Sequence, residues 1–331
     1  MPYKSCIIGT GSSVPERVLS NQDLEEIVDT SDEWITRRTG IRDRRISSVH
    51  RDETSTDLGT RAAVRAMEMA GVTAESLDMI VVGTVTPDNQ FPSAACMVQK
   101  EINAVNAGAF DISAGCTGFL YALAMADNAI RAGNCRRVLV AGIERLSSIV
   151  DWQDRSTCVL LADGAGAVVL DAREDPNGIL STHLKSDGNL GELLYSTYSS
   201  STIPEILRDI DTKPFVLRME GNRLFKRAVS YMAAISRDAL EKNNLTAEDI
   251  SLVVPHQANI RIIDALAHTL DIPMEKVFTN VHKYGNTSSA SIPIALDEAN
   301  HAGLLKTGDH VLLVSFGAGL TWGAALLKWS M

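Results

Sequence analysis

The chain repeats itself at a fixed interval, and that interval limits what it can fold into. Val72-Thr73-Ala74-Glu75 leads into the strand-like Met79–Val82, and Leu245-Thr246-Ala247-Glu248 leads in the same way into Leu252–Val254. Val138-Leu139-Val140 and Val311-Leu312-Leu313 are a second such pair, and 311 − 138 and 245 − 72 are both 173. One offset shared by matches this far apart predicts two similar halves, about 1–175 and 176–331. Both halves alternate strand and helix signals, the pattern of an α/β fold with a mostly parallel sheet and helices on its faces. Ile80–Val82, Val138–Val140, Ala167–Leu170, Leu252–Val254 and Val311–Val314 are apolar at every position, as strands covered on both faces are. Helical spacing runs from Asp57 to Ala70 before Gly71 and from Thr117 to Ala132 before Gly133. A third helix carries Ile260, Ile263, Ala267 and Leu270 on one face before Pro273. Segment 183–220 has neither period, contains Asp187-Gly188-Asn189 and Tyr198–Thr202, and is expected to be a loop-rich connection between the halves.

Composition narrows the function classes. A formal net charge of −10 opposes a nucleic-acid binder, which needs a broad basic surface. No apolar run approaches the roughly 18 residues of a membrane span. Residues 1–8 lack the apolar stretch and cleavage site of a secretory signal, so a reducing cytoplasm is the expected compartment. The five cysteines (Cys6, Cys96, Cys116, Cys135 and Cys158) are odd in number and include no Cys-x-x-Cys pair. Neither a disulfide framework nor a zinc site is expected from them.

In Ala109–Phe119 a strand-like start reaches a turn of small residues, Ser113-Ala114-Gly115, and a helix follows. Cys116 then stands at a helix N-terminus, where unpaired N–H groups and the helix dipole favour a thiolate and lower the cysteine pKa. A small buried hydrophobe at a strand–helix junction would read the same way. In Leu252–Asn259, His256 follows Pro255 at the carboxyl end of a strand, on the side where parallel α/β sheets bind ligands. A capping or satisfied core histidine is the alternative. Asn286, in His282–Ser291, is by itself a turn residue or a helix cap. The offset gives it more weight, because position 289 is the counterpart of position 116. If the halves pack about a pseudo-twofold, both loops and His256 converge, and Cys, His and Asn together suit acyl transfer through a covalent thioester.

The chain resembles β-ketoacyl-acyl-carrier-protein synthase III, among the thiolase-fold condensing enzymes, over nearly its whole length. The segments that carry the resemblance are Thr30–Ile35 with Arg38–Ile41, Phe91–Cys96, Cys116–Phe119, Asp163–Ala167, Pro255–Asn259, Gly285–Ser288 and Phe316–Gly323. The resemblance implies a layered αβαβα core and a decarboxylative Claisen condensation. An acyl-CoA primer would acylate Cys116, and malonyl-acyl-carrier protein would then give a 3-oxoacyl-acyl-carrier protein, CO₂ and CoA, the first step of fatty acid biosynthesis. His256 and Asn286 would donate hydrogen bonds to the malonyl thioester, and the N–H groups of Cys116 and Ala318 would hold the acyl oxyanion. Many relatives have glycine where Ala318 stands, a change that keeps the N–H.

By the same resemblance, Trp34 and Arg155 would sandwich the CoA adenine, and Thr30, Arg38, Asn222 and Ala258 would contact the rest of CoA. Phe91 would floor the acyl pocket of a partner subunit in a homodimer, and Leu161 would line the chain's own acyl pocket. Arg223, Lys226 and Arg227 share one helix face. With Arg261 and Gln257 they form the expected docking site for acyl carrier protein; a solvated charged face is the alternative. No cofactor, metal, nucleic acid or membrane partner is expected. Another member of the fold with a different primer remains open, whereas a degradative thiolase is opposed by the absence of cysteine from residues 316–323.

Overall fold

In the computed structural model, residues 3–48, 51, 53–197 and 217–331 are described. The doubly apolar strands group into two sheets. The first contains β1 (Lys4–Ser13), β2 (Met79–Gly83), β3 (Gly108–Ile112), β4 (Arg137–Arg145) and β5 (Asp163–Arg173), in the order β1-β5-β4-β2-β3. The second contains β6 (Gly178–Ser186), β7 (Leu252–Pro255), β8 (His310–Gly317) and β9 (Thr321–Lys328), in the order β7-β8-β9-β6. The repeat survives in the register. Met79 lies opposite Val138 in the first sheet, and Leu252 lies opposite Val311 in the second, so the same offset relates the two pairs residue by residue.

Both sheets are mostly parallel in strand direction, as expected, with one reversed strand in each, β5 in the first and β9 in the second. β2 runs parallel to β3 and β4, and β7 parallel to β8. β5 runs antiparallel to β1 and β4, and β9 antiparallel to β8 and β6. Continuous apolar sequence reports cover on both faces and carries no information about strand direction.

That cover comes from seven helices: α1 (Asp32–Thr39), α2 (Ser55–Ala70), α3 (Ala94–Glu101), α4 (Gly118–Arg131), α5 (Gly221–Lys242), α6 (Ile260–Thr269) and α7 (Ser291–His301). Local chemistry sets their ends. Thr54 and Asp57 form a reciprocal capping box at the start of α2, and Gly71 ends it in the left-handed conformation. The Asn259 side chain caps α6 by accepting from the Arg261 N–H.

Three apolar cores join five layers, α2 and α3, the first sheet, α4 and α7, the second sheet, then α5 and α6, the central core spanning both inner boundaries. Leu58, Ala62 and Val98 pack on Ile80, Val82 and Leu139 on the outer face of the first sheet. Leu224, Met232 and Leu266 pack on Val253, Leu312 and Leu326 on the outer face of the second. Between the sheets, Phe119 and Leu123 of α4 and Ile292 and Leu296 of α7 meet Val81, Val140, Val254 and Leu313. This is the thiolase-like αβαβα arrangement expected from the resemblance.

Segment 183–220 is more ordered at its ends than expected. Residues 183–186 complete β6, Gly188–Leu193 is a 3₁₀ turn, and Leu194–Ser196 pairs with Leu217–Met219. Residues 198–216, including Tyr198–Thr202, lie outside the described residues. β6 escaped sequence reading because it is an edge strand, paired on one side and only partly buried, and so lacks a continuous apolar run.

Leu123 and Leu296 are equivalent under the offset, and both are fully buried in the central core. Leu123→Ala and Leu296→Ala are each expected to cost about 2–5 kcal/mol of unfolding free energy in urea titrations. A loss below about 1 kcal/mol at either site would contradict the central-layer packing.

Candidate active site

The repeat sets two short turns against each other between the sheets. Gly115–Thr117 is a 3₁₀ turn running into α4, and its counterpart Ser288–Ala290 runs into α7. Gly115 has φ +54°, and a Cβ there would lie 2.7 Å from the Ala318 nitrogen. A Cβ on Gly317 would lie 2.5 Å from the Cys116 nitrogen. Glycine at both positions therefore lets the backbone after β8 close onto the cysteine turn. Ser315 Oγ ties the two by donating to the Cys116 carbonyl at 2.9 Å. The N–H groups of Cys116 and Ala318 and the Ser288 side chain lie near the Cys116 sulfur and favour its thiolate form.

His256 leaves the end of β7 with its N–H bonded to the Val314 carbonyl at 2.8 Å. Its Nδ1 lies 2.6 Å from Ser291 Oγ, which also accepts from the Gln257 N–H at 3.4 Å. Ser291 can accept from Gln257 and donate to Nδ1, the arrangement that puts the imidazole proton on Nε2, where a ligand can use it. Burial pushes the imidazole down to about 3, so the ring is neutral at neutral pH.

Asn286 is fixed from both sides by backbone, its N–H donating to Leu160 and its carbonyl accepting from Ala162, at 2.8 and 2.9 Å. Its Oδ1 accepts from the Ser288 N–H at 2.9 Å, which leaves the amide NH₂ as a donor.

Cys116, His256 and Asn286 line one pocket of about 140 Å³ that extends to Gly221, Ala258 and Asn259. A second cavity of about 310 Å³, apolar with Leu146, Ile149, Leu161 and Leu217, also reaches Cys116 and Asn286. Cys116 and Asn286 line both.

The thiol is not the acidified group its helix position predicts. Burial pushes Cys116 up to about 11, and the nearby Glu144 carboxylate adds to the rise. Ser288 and the two N–H groups pull the other way without compensating. Desolvation by apolar walls outweighs the donors, a balance that a linear sequence does not display.

Sequence reasoning passed over three residues of this site: Ser288, Ser291 and Glu144. Glu144 is fully buried near the end of β4. Its carboxylate accepts from the Val85 N–H at 3.2 Å and from the hydroxyls of Thr86, Ser288 and Ser289 at 2.5, 3.1 and 2.9 Å. Burial pushes it up to about 7. The available signal was an acid directly after the apolar run Val138–Ile143, a position where a surface charge is not expected.

The remaining expected residues fall into groups. Trp34 and Arg38 lie on α1, whose end is tied to the pocket mouth by Asn259 Nδ2 donating to the Arg38 carbonyl at 3.1 Å. The Arg155 guanidinium lies over Trp34, 4.9 Å from the ring centroid, and Arg38 lies 5.1 Å from it. A sandwich would need two ring contacts of roughly 3.5–4 Å each, so the expected adenine slot is closed here by the arginine itself. Thr30 Oγ1 has no hydrogen-bond partner among the described residues, and Asn222 is exposed beside Gly221. Phe91 is 85% exposed, and Leu161 bridges to Asn286 through its backbone.

Of the expected docking residues, Lys226 and Arg261 are exposed on adjoining helices, with the Arg261 guanidinium 5.7 Å from the Phe225 ring. Arg223 pairs with Glu220 at 3.0 Å, and Arg227 donates to the Tyr231 hydroxyl at 3.3 Å. Gln257 does not belong with them. It is 1% exposed, and its amide holds the Pro255 and Phe278 carbonyls and the Asn280 and Val281 N–H groups. It was expected at the docking surface, whereas the side chain turns inward to brace the strand end.

Comparison with known proteins gives consistent matches. Residues 110–188 match the family model for 3-oxoacyl-[acyl-carrier-protein] synthase III, and residues 240–329 match the model for its C-terminal part. The β-ketoacyl-[acyl-carrier-protein] synthase III of Caldanaerobacter subterraneus is 51% identical over 98% of this chain and 97% of its own. The enzyme of that name from Aquifex aeolicus is 52% identical over 98% and 99%. A crystal structure of the Aquifex aeolicus synthase III superposes with a TM-score of 0.91, at 51% identity over 98% of this chain and 100% of that one.

Because the Gln257 amide is spent on four backbone groups, Gln257→Ala is expected to cost about 1–3 kcal/mol in urea unfolding by leaving them unpaired. A change within about 0.5 kcal/mol would show that the bracing carries no weight.

Proposed function

Because the chain belongs to the 3-oxoacyl-[acyl-carrier-protein] synthase III family, we propose that its pocket joins an acyl group to a malonyl unit with Cys116 as the acyl carrier. The protein is a condensing acyltransferase of the class that initiates fatty acid synthesis. The observation that carries the assignment of roles is that Cys116, His256 and Asn286 line one pocket from three separate segments.

In this reading Cys116 attacks an acyl-CoA thioester and CoA leaves. The acyl chain lies in the larger cavity beside Leu161. The acyl carbonyl oxygen takes the place of sulfur before the N–H groups of Cys116 and Ala318. One such donor is worth roughly 10²–10³ in rate. Malonyl-acyl-carrier protein then enters and loses CO₂, and its enolate attacks the acyl carbon. The neutral His256, with Nε2–H, and the Asn286 amide are both donors, which suits stabilising an enolate oxygen and does not require a base. No cofactor or metal enters the scheme. The acyl-CoA is short or branched, and Leu161 in place of a bulkier aromatic supports the wider choice.

CoA runs from the pocket mouth past Ala258 and Asn222 to α1, with Thr30, Trp34 and Arg38 along it. Arg155 must swing off Trp34 to admit the adenine. Acyl carrier protein docks on Lys226 and Arg261, with Arg223 and Arg227 contributing less because they are engaged elsewhere. The enzyme works as a homodimer in which Phe91 of each subunit enters the other's acyl cavity; the 85% exposure of that ring supports this, since an apolar side chain so exposed gains most from a partner. No helix among the described residues is long and apolar enough to cross a membrane. The cytoplasm is the proposed compartment, supported by five unpaired cysteines.

His256→Ala and Asn286→Ala are expected to accept an acyl group at near-native rates while release of CO₂ from malonyl-acyl-carrier protein falls by about a hundredfold or more. Wild-type CO₂ release from either variant would remove that residue from the enolate step. The double charge reversal Lys226→Glu with Arg261→Glu is expected to raise the KM for the carrier substrate about tenfold and flatten its salt dependence, leaving acyl-CoA transfer unchanged. An unchanged KM with the native salt profile would move the carrier to another face.

A further inference from the structure

A thiol pushed up to about 11 is a poor nucleophile at neutral pH, and the neutral His256 is committed as a donor. The acyl-transfer step therefore needs somewhere to put the thiol proton. Glu144 is the buried acid nearest this need, and the roles assigned above leave it unused. Between it and Cys116 stands a single hydroxyl: Ser288 lines the same cavity as Cys116, and its Oγ lies 3.1 Å from Glu144 Oε1. One hydroxyl has one proton, so Ser288 accepts from the thiol while it donates to the carboxylate, or donates to the thiolate while it accepts from the acid. The Ser288 backbone is held at φ +49°, with its N–H bound to Asn286 Oδ1, so the hydroxyl is presented from a fixed point.

The surrounding groups accommodate both protonation states of the acid. Thr86 accepts from the Arg145 N–H and donates to Glu144 Oε2 in either state. Ser289 Oγ lies 2.9 Å from Glu144 Oε1 and 2.7 Å from the Gly83 carbonyl. It can donate to an ionised Glu144, or turn its proton to the Gly83 carbonyl when Glu144 is protonated and donates to Ser288. A group built only to brace the turn would need no such second arrangement.

We propose that Glu144, acting through the Ser288 hydroxyl, receives the Cys116 thiol proton during acyl transfer and returns it when the product leaves. The proposal rests on Cys116 being the acylated residue. As the S–H bond breaks, its proton passes to Ser288 Oγ and the Ser288 proton passes to Glu144. The sulfur pair forms the bond to the acyl carbon, and collapse of the tetrahedral adduct breaks the bond to CoA. CoA leaves as a thiolate and takes a proton from solvent. In the second half the enolate carbon attacks, the bond to Cys116 sulfur breaks, and the thiolate recovers its proton from Glu144 through Ser288. The one proton drawn from solvent balances the malonyl carboxylate lost as CO₂. Ser288 touches the reacting sulfur; Glu144 touches no reacting atom and is a positioning residue that also stores the proton.

Among the described residues, Cys116 is the titratable group facing Glu144. Arg145, next on β4, turns to Asp88 at 3.5 Å, and Asp163 of β5 is held by Ser47 and Ser147. The limb of a rate profile near neutral pH therefore reports Glu144. The relay needs the ionised acid, so the rate rises as pH climbs through about 7.

The test is single-turnover transfer from an acyl-CoA, followed over about pH 5.5–9.5, with the acylated residue located by peptide mass spectrometry. The wild type is expected to show a rising limb near neutral pH. Glu144→Gln should lose that limb and react about a hundredfold more slowly at pH 7. Glu144→Asp should recover part of it. Ser288→Ala should lose the limb although Glu144 is intact, and it settles the matter if the glutamine variant does not fold. A native limb and rate in either Glu144→Gln or Ser288→Ala, with the label on Cys116, would overturn the relay alone. Label on another residue in the wild type would overturn the assignment of Cys116 and the relay with it.

Discussion

Two N–H groups from different halves of the chain, those of Cys116 and Ala318, face one sulfur because glycine stands at 115 and 317. A side chain at either position would collide with the other half's backbone at under 3 Å. The layered packing is arranged around this approach. α4 and α7 meet between the sheets, the turns that precede them fall side by side, and the strand ends carrying His256 and Ala318 lie above. Duplication explains why the site is composite. Each half contributes a turn at the same offset, one with a nucleophile and one with Asn286, Ser288 and Ser289.

Burial does two opposite things to the same pocket. It holds the imidazole neutral, which suits donation to an enolate oxygen, and it holds the thiol protonated, which opposes nucleophilic attack. A dry pocket protects an acyl thioester and a carbanion-like enolate from water, so the unfavourable effect on sulfur accompanies the favourable one on the intermediates. The hydroxyl and carboxyl network behind Cys116 lies where that conflict would be relieved.

Much of this was legible in the chain. The constant offset between the halves foretold the paired strands, the two facing turns and the correspondence of position 289 with 116. Cys116, His256 and Asn286 were legible because backbone punctuation, small residues, a proline at a strand end and a Gly-Asn pair, marks where strands stop. What depended on three-dimensional surroundings was not. Strand direction is silent in an apolar run, and β6 at its sheet edge carries no run at all. The helix N-terminus suggested an acidic thiol, but desolvation decides the sign, and desolvation belongs to the walls. Gln257 was expected at the docking surface and Arg155 across an adenine from Trp34, while in the fold the first turns inward and the second lies against Trp34.

The central claim is that backbone donors from both halves receive the acyl oxygen at Cys116. A crystal structure of the enzyme after incubation with an acyl-CoA tests it most directly. The account predicts a thioester on Cys116 with its carbonyl oxygen about 2.7–3.1 Å from the nitrogens of both Cys116 and Ala318, and its chain in the cavity beside Leu161. An acyl oxygen turned toward His256 and Asn286, or an acyl group on any other residue, would contradict it.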